Sequence, residues 1–145
     1  MIGPVVKIDE SSLPRRTNIV YLGKRGYDEL PALLAGVDVA LMPFAINEHT
    51  ENISPTKTLE YFAAGRPVVS TAVPDVLAEH RDIAQVARDR AEFIDFVQRA
   101  RQPDGERLRR AADRAAAGGW DAIVASMYGD LAAAGIAAAR AGAIA

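Results

Sequence analysis

The sequence predicts an α/β fold built on a parallel sheet, and three observations carry that prediction. Short apolar, β-branched runs alternate with helix-length segments from Asn18 to Arg101. The run Val37-Asp38-Val39-Ala40-Leu41-Met42-Pro43-Phe44 is mostly apolar along its length, as a strand covered on both faces requires. The chain has 145 residues, 50% of them hydrophobic and 25% charged, which suits one soluble globular domain with a sizeable core. Right-handed crossovers between parallel strands would place helices on both faces of the sheet.

Each element has a local reason. Ile2 to Ile8 is the first apolar stretch, where Val5, Val6 and Ile8 favour a strand. Asp9 to Thr17 is polar, carries Pro14 and reads as a connection. Asn18 to Gly23 reads as the next strand, ended by glycine, with Lys24, Arg25 and Gly26 as a basic turn behind it. Asp28 is placed to cap a helix that tolerates Pro31 in its first turn, buries Tyr27, Leu30 and Leu34, and stops at Gly36. The Val37–Phe44 strand then hands over to a polar loop that carries Asn47, Glu48, His49, Thr50, Glu51 and Asn52.

From Asn52 to Thr71 the chain reads as loop, short helix, glycine stop and buried strand. Ser54 is the expected N-cap and Pro55 the first helical residue. Leu59, Phe62 and Ala63 fall on one side, Gly65 ends the helix, and Pro67 to Thr71 follows as a β-branched strand. Ala72 to Val76 is a turn and short helix, and Ile83 to Ala87 a further strand. Asp89 caps the next helix, which turns Phe93, Ile94, Val97 and Ala100 inward until Pro103-Asp104-Gly105 breaks it. Leu108, Ala112 and Ala115 stripe an arginine-rich helix (Arg107, Arg109, Arg110, Arg114) that ends near Gly118-Gly119. Trp120, Ile123, Val124, Met127 and Leu131 form the most regular amphipathic stripe of the chain, with Trp120 as a core or docking residue. Residues 1–131 are thus expected to form the domain, and the alanine-rich 132–145 a frayed or disordered tail.

Composition removes several functions. A formal net charge of -2 provides no basic field for nucleic acid or an anionic membrane. There is no cysteine, so disulfides and thiolate metal sites are excluded. His49 and His80 lack metal-ligand spacing and read as ordinary polar residues, so no metal site is expected. No apolar run approaches the ~20 residues that span a bilayer, and the N-terminus lacks a signal-peptide pattern. A cytoplasmic protein is expected.

The stretch after Asn52 carries the chemistry. A helix start offers unpaired amides and partial positive charge, which suit a phosphate. Lys57 adds a full charge one turn in, and Glu60, a turn further, can accept hydrogen bonds from a diol. On spacing alone the plainer reading is a capped helix with an exposed Lys–Glu pair. The sheet topology favours the other: ligands of parallel sheets bind beyond the carboxyl ends of the strands, where Ser54, Thr56 and Lys57 are expected.

Val37–Phe44, Ser54-Pro55-Thr56-Lys57-Thr58-Leu59-Glu60-Tyr61 and Ala64-Gly65-Arg66-Pro67-Val68-Val69 resemble the donor-binding half of GT-B glycosyltransferases. The resemblance is to the retaining group 1, family 4-like enzymes with a Ser-Pro-x-Lys-x-x-Glu-Tyr motif, and it covers roughly Asn18 to Val76. It implies a Rossmann-like domain, transfer of a sugar from a nucleotide-diphosphate sugar (UDP or GDP) to an acceptor hydroxyl, and a role in polysaccharide biosynthesis. By that resemblance Ser54, Thr56 and Lys57 approach the diphosphate, Lys57 as the catalytic charge, and Glu60 holds the ribose. Asn47 and Asn52 are placed near the sugar, and Gly23, Lys24 and Arg25 near the base. No cofactor and no metal are implied.

The sequence also departs from the family. Asn52 stands where a first glutamate is common, the glycine-rich loop is replaced by Asn52-Ile53-Ser54-Pro55, and Lys7 alone answers to a basic pair after the first strand. The acceptor domain has no counterpart, so the chain is expected to be half of a two-domain enzyme, held at the inner membrane, if at all, through the other half. Two further readings stay open: a sugar-nucleotide epimerase domain, and a non-catalytic module that docks a partner enzyme.

Overall fold

The computed structural model describes residues 1–135. They fall into two compact units, Met1–Val37 and a second beginning at Asp38. The second contains the predicted parallel α/β sheet, flanked by helices as a Rossmann-like half requires. Its strands are β1 (Ala40–Met42), β2 (Val68–Thr71) and β3 (Gln85–Ala87), in the order β1-β2-β3 and all parallel. Central β2 is buried on both faces, with Val69 and Ser70 fully covered. In β1, Ala40 and Met42 are buried but Leu41 is 46% exposed. The expectation that this run is covered on both faces is therefore corrected. The strand lies at the sheet's edge, and Pro43, which has no N–H, stands immediately beyond it.

Helix α1 (Leu30–Ala35) precedes the sheet; α2 (Lys57–Ala63) and α3 (Pro74–His80) connect its strands, and α4 (Arg90–Ala100), α5 (Gly105–Ala117) and α6 (Trp120–Ala133) follow. Helix α4 packs on β2 and β3, while α2 packs on α5 and β2. Asp89 caps α4 as expected, accepting from the Glu92 amide at 2.9 Å. Asp104 caps α5, accepting from Glu106 and Arg107. Gly65 ends α2 at φ 66. There the Arg66 amide donates to the Tyr61 carbonyl and the Gly65 amide to that of Phe62, both at 2.9 Å, a Schellman closure.

The buried stripes differ in detail from those expected. On α2, Thr58 and Phe62 are each 1% exposed, while Ala63 faces out. On α4, Ala100 is buried but Ile94 is exposed; on α5, Ala111 replaces Ala112 in the core. Arg110 pairs with Asp82, and Arg114 with Glu79 at 2.7 Å, so these arginines tie α5 to α3 and the turn behind it. His80 is no ordinary polar residue. It is buried, meets the Phe62 ring edge-on at 5.4 Å between centroids, and leaves Nδ1 without a hydrogen-bond partner. Burial, reinforced by the Arg114 guanidinium, holds its pKa below the usual histidine value.

The Trp120 stripe does form a helix, but no residue of α6 is buried, and Trp120 is 81% exposed. Among the described residues nothing covers its apolar side, so Trp120 is not a core residue. Residues 136–145 of the expected tail lie outside the described residues.

In the unit Met1–Val37 the two expected strands do not form. Gly3 (φ 136) and Lys7 (φ 62) break the extended backbone of Ile2–Ile8. Three backbone bonds join its start to the Asn18–Gly23 run, from the Met1 amino group to the Val20 carbonyl, from the Leu22 amide to the Met1 carbonyl and from the Gly3 amide to the Gly23 carbonyl, and they do not make a regular ladder. No residue of this unit is buried, so neither run has a covered face to stabilise a ladder. The expected Asp28-capped helix begins instead as a 3-10 turn, Tyr27–Glu29, whose Glu29 carboxylate accepts from the Gly26 amide at 2.7 Å. Tyr27 is 78% exposed rather than part of a buried stripe.

Candidate functional site

Because all three strands are parallel, Met42, Thr71 and Ala87 end at one edge of the sheet. The segment Asn52–Glu60 is pinned at this edge by two contacts. Thr58, in the first turn of α2, directs its hydroxyl to the Met42 sulfur at 3.6 Å. Ser54 donates from Oγ to Asp75 Oδ2, in the first turn of α3, at 3.1 Å. Thr71 Oγ1 donates to the Phe44 carbonyl at 2.8 Å and holds the start of the intervening loop against β2.

The second contact corrects the expected cap. Ser54 does not bond an amide of the helix; its hydroxyl is drawn to a carboxylate, and α2 begins at Lys57 rather than Pro55, with Thr56 as N-cap. A charged acceptor makes a stronger hydrogen bond than does a neutral cap. Ser54, Thr56, Lys57 and Glu60 nevertheless remain exposed on one short segment at the carboxyl edge. Among the described residues neither Lys57 nor Glu60 forms an ion pair, so the expected surface Lys–Glu pair is not made. Next to Glu60, Tyr61 is half-buried. Its phenol pKa is raised, first by that burial and then by the Glu60 carboxylate.

The remaining candidates are distributed differently. Asn47 is used within its own loop, where Oδ1 accepts from the His49 amide at 3.0 Å and the Asn47 amide donates to Thr50 Oγ1 at 2.9 Å. Asn52 is exposed in the turn before Ser54. Gly23, Lys24 and Arg25 belong to the other compact unit. There Gly23 adopts φ 68, and Arg25 lies 3.9 Å from Glu29 in an i,i+4 ion pair.

A cavity of about 500 Å³ also opens at the carboxyl edge, between Pro43, Ile46, Thr71, Ala72, Phe93 and Ile94, but Lys57 and Glu60 do not line it. Among the described residues no cluster of three or more His, Asp or Glu is arranged to hold a metal ion. Sequence reasoning missed Asp75. Pro74-Asp75 signals a helix start, but no local pattern shows that Asp75 meets a serine 21 positions earlier.

Comparison with known proteins supplies the family. The family model described as "Glycosyl transferases group 1" matches residues 3–102. The chain is similar to the protein named "Putative teichuronic acid biosynthesis glycosyltransferase TuaH" of Bacillus subtilis (strain 168), 27% identical over 85 residues. That alignment covers 59% of this chain and 21% of the relative, so the chain spans only a small part of the relative's length. No solved structure matches the chain. Since the family match extends over more than half of its length and includes the whole of the Ser54–Glu60 segment, this chain belongs to the group 1 glycosyl transferases.

Proposed function

We propose that this chain is the donor-binding part of a retaining glycosyltransferase, which moves a sugar from a nucleotide-diphosphate sugar to an acceptor hydroxyl. One observation supports this above the others. In a member of the group 1 family, an exposed lysine and an exposed carboxylate lie one turn apart at the carboxyl edge of a parallel sheet, neither ion-paired among the described residues. A pair left unsatisfied by its own protein is available to a ligand that carries both negative charge and hydroxyls.

In this reading Lys57 meets the diphosphate, with Ser54 and Thr56 beside it, and Glu60 receives the ribose hydroxyls. Negative charge builds on the leaving diphosphate as the glycosidic bond breaks, and a fixed ammonium stabilises it without a metal ion. Glu60 orients the donor and takes no part in proton transfer. Ser54 exchanges Asp75 for a phosphate oxygen when the donor binds, so Asp75 holds the hydroxyl in place in the free protein. Asn52 and Asn47 face the sugar, with UDP or GDP as the nucleotide. Retention of configuration rests on the family resemblance.

The acceptor domain would belong to the parent chain, and a half-site open to water would turn over little by itself. The acceptor would be a growing polysaccharide, and the work cytoplasmic. No helix of the described residues is long and apolar enough to cross a membrane. The docking-module alternative drew on the arginine-rich helix, but Arg110 and Arg114 are engaged by Asp82 and Glu79.

Titration of the chain with UDP, GDP and ADP, followed by calorimetry or amide shifts, tests the proposal. One nucleotide should bind, and Lys57→Ala should weaken it about tenfold or more, the worth of one charge-assisted hydrogen bond. Glu60→Ala should act similarly, while both variants melt as the parent does because both side chains are exposed. Absence of binding to all three nucleotides would instead favour a docking module.

A further inference from the structure

A second cavity, of about 180 Å³, lies at the opposite edge of the sheet. It is bounded by Val68 and Gln85, the first residues of β2 and β3, by the end of α4 and by the first turn of α5. We propose that it is a binding site for a phosphate-type oxyanion, separate from the donor site and independent of whether that site is read correctly.

Charge is the first argument. Three arginines, Arg66, Arg99 and Arg107, line the cavity against one acidic residue, Asp104, in a chain whose formal net charge is -2. Asp104 is committed elsewhere, since Oδ1 accepts from the Glu106 and Arg107 amides. Arg99 pairs with Asp95 at 2.8 Å, and Arg66 donates from Nε to the Ala64 carbonyl at 3.0 Å, contacts that fix two of the three side chains. Arg107 is half-buried and meets no carboxylate within 4.0 Å among the described residues. Guanidinium forks match tetrahedral oxyanions geometrically and are weakly hydrated, so they bind such anions with little desolvation cost.

The second argument is an orphaned polar atom. Gln85 lines the cavity, and its Oε1 is buried with no hydrogen-bond partner. Buried acceptors are ordinarily satisfied, and an exception asks for a missing donor. The hydroxyl of a singly protonated phosphate is such a donor, met by a small rotation of the Gln85 side chain, since Oε1 is closed to solvent in the free protein. Size is the third argument. A space of about 180 Å³ falls below the ~300–1,000 Å³ typical of sites for drug-sized molecules, so it suits one phosphate group and not a whole sugar nucleotide.

The test is a titration of the 145-residue chain with inorganic phosphate, and separately with methyl phosphate, at constant ionic strength. Amide shifts report where the anion sits. Saturable shifts are expected at Gln85 and over Gly105–Leu108. Arg107→Gln should weaken binding about tenfold or more, Gln85→Leu should weaken it severalfold, and Arg107→Lys, which keeps the charge without the fork, should fall between. Circular dichroism confirms that each variant is folded, and Arg107→Lys carries the test if Arg107→Gln does not fold. Saturation by inorganic phosphate alone identifies a free ion, and saturation by methyl phosphate a phosphorylated group; either supports the site. No saturable shift with either anion overturns it. So do shifts that survive Arg107→Gln unchanged, or that vanish in Lys57→Ala, which would move the anion to the other edge.

Discussion

Phe62 holds the site-bearing helix in place, and its removal should be costly. The ring is 1% exposed on α2, the helix that presents Lys57 and Glu60. An aromatic side chain covers about 150–250 Å² on burial, which at about 25 cal/mol per Å² is worth roughly 4–6 kcal/mol. Measured Phe→Ala changes in cores cost about 3–5 kcal/mol. The edge-on contact with His80, 5.4 Å between centroids at 89°, lies inside that figure. By itself it is worth about 0.5–1.5 kcal/mol. Phe62→Ala should therefore lose about 4 kcal/mol, a large share of the ~5–15 kcal/mol that stabilises a domain. Phe62→Leu, which keeps most of the volume, should lose about 1–2 kcal/mol.

Urea denaturation near pH ~8, where histidine is neutral, measures both variants, and an unchanged m-value keeps the comparison within one two-state scheme. A double-mutant cycle with His80→Ala isolates the ring–ring coupling at about 0.5–1.5 kcal/mol. If Phe62→Ala cost less than about 1 kcal/mol, α2 would not be docked through this side chain, and the placement of Lys57 at the sheet edge would lose its support.

Other outcomes follow from single positions. The folded pKa of His80 is depressed, chiefly by burial, so below about pH 6.5 the unfolded chain takes up a proton that the folded state resists. Stability should be complete above that pH and fall as pH drops through the depressed folded value, and His80→Leu should flatten this part of the profile in urea midpoints. Gly65→Ala forces a β-carbon onto a residue at φ 66 and should cost about 1–2 kcal/mol in thermal melts, with Gly65→Asn milder. Asp104→Ala removes the acceptor of two α5 amides and should cost about 1 kcal/mol, whereas Asp104→Asn should cost less.

Much of the second unit was legible because its signals are local. Asp89 caps the helix that follows it, and Gly65 stops α2 in the left-handed conformation expected of it. The Pro67–Thr71 run forms the central strand because an apolar β-branched stretch between a glycine stop and a turn has few other uses. The family resemblance rested on the same local strings, and the family match confirms it. The Ile2–Ile8 and Asn18–Gly23 runs show the limit of such reading. They have strand composition, but a strand exists only against a partner and a covered face, which the described residues do not provide.

What the sequence determined by itself was the order of the elements from Ala40 onward, the Asp89 cap of α4, the Gly65 stop of α2, and the family. The tertiary structure decided which side of each helix is buried. It put Thr58 and Ala111 in the core rather than Ala63 and Ala112, and left α6 uncovered. It also turned Ser54 from a cap into a donor to Asp75, buried His80 against Phe62, and spent Arg110 and Arg114 on Asp82 and Glu79. The reason is physical. Caps and turns are settled within about four residues by backbone geometry, whereas burial and charge pairing depend on which distant surfaces meet, and no local pattern encodes that meeting.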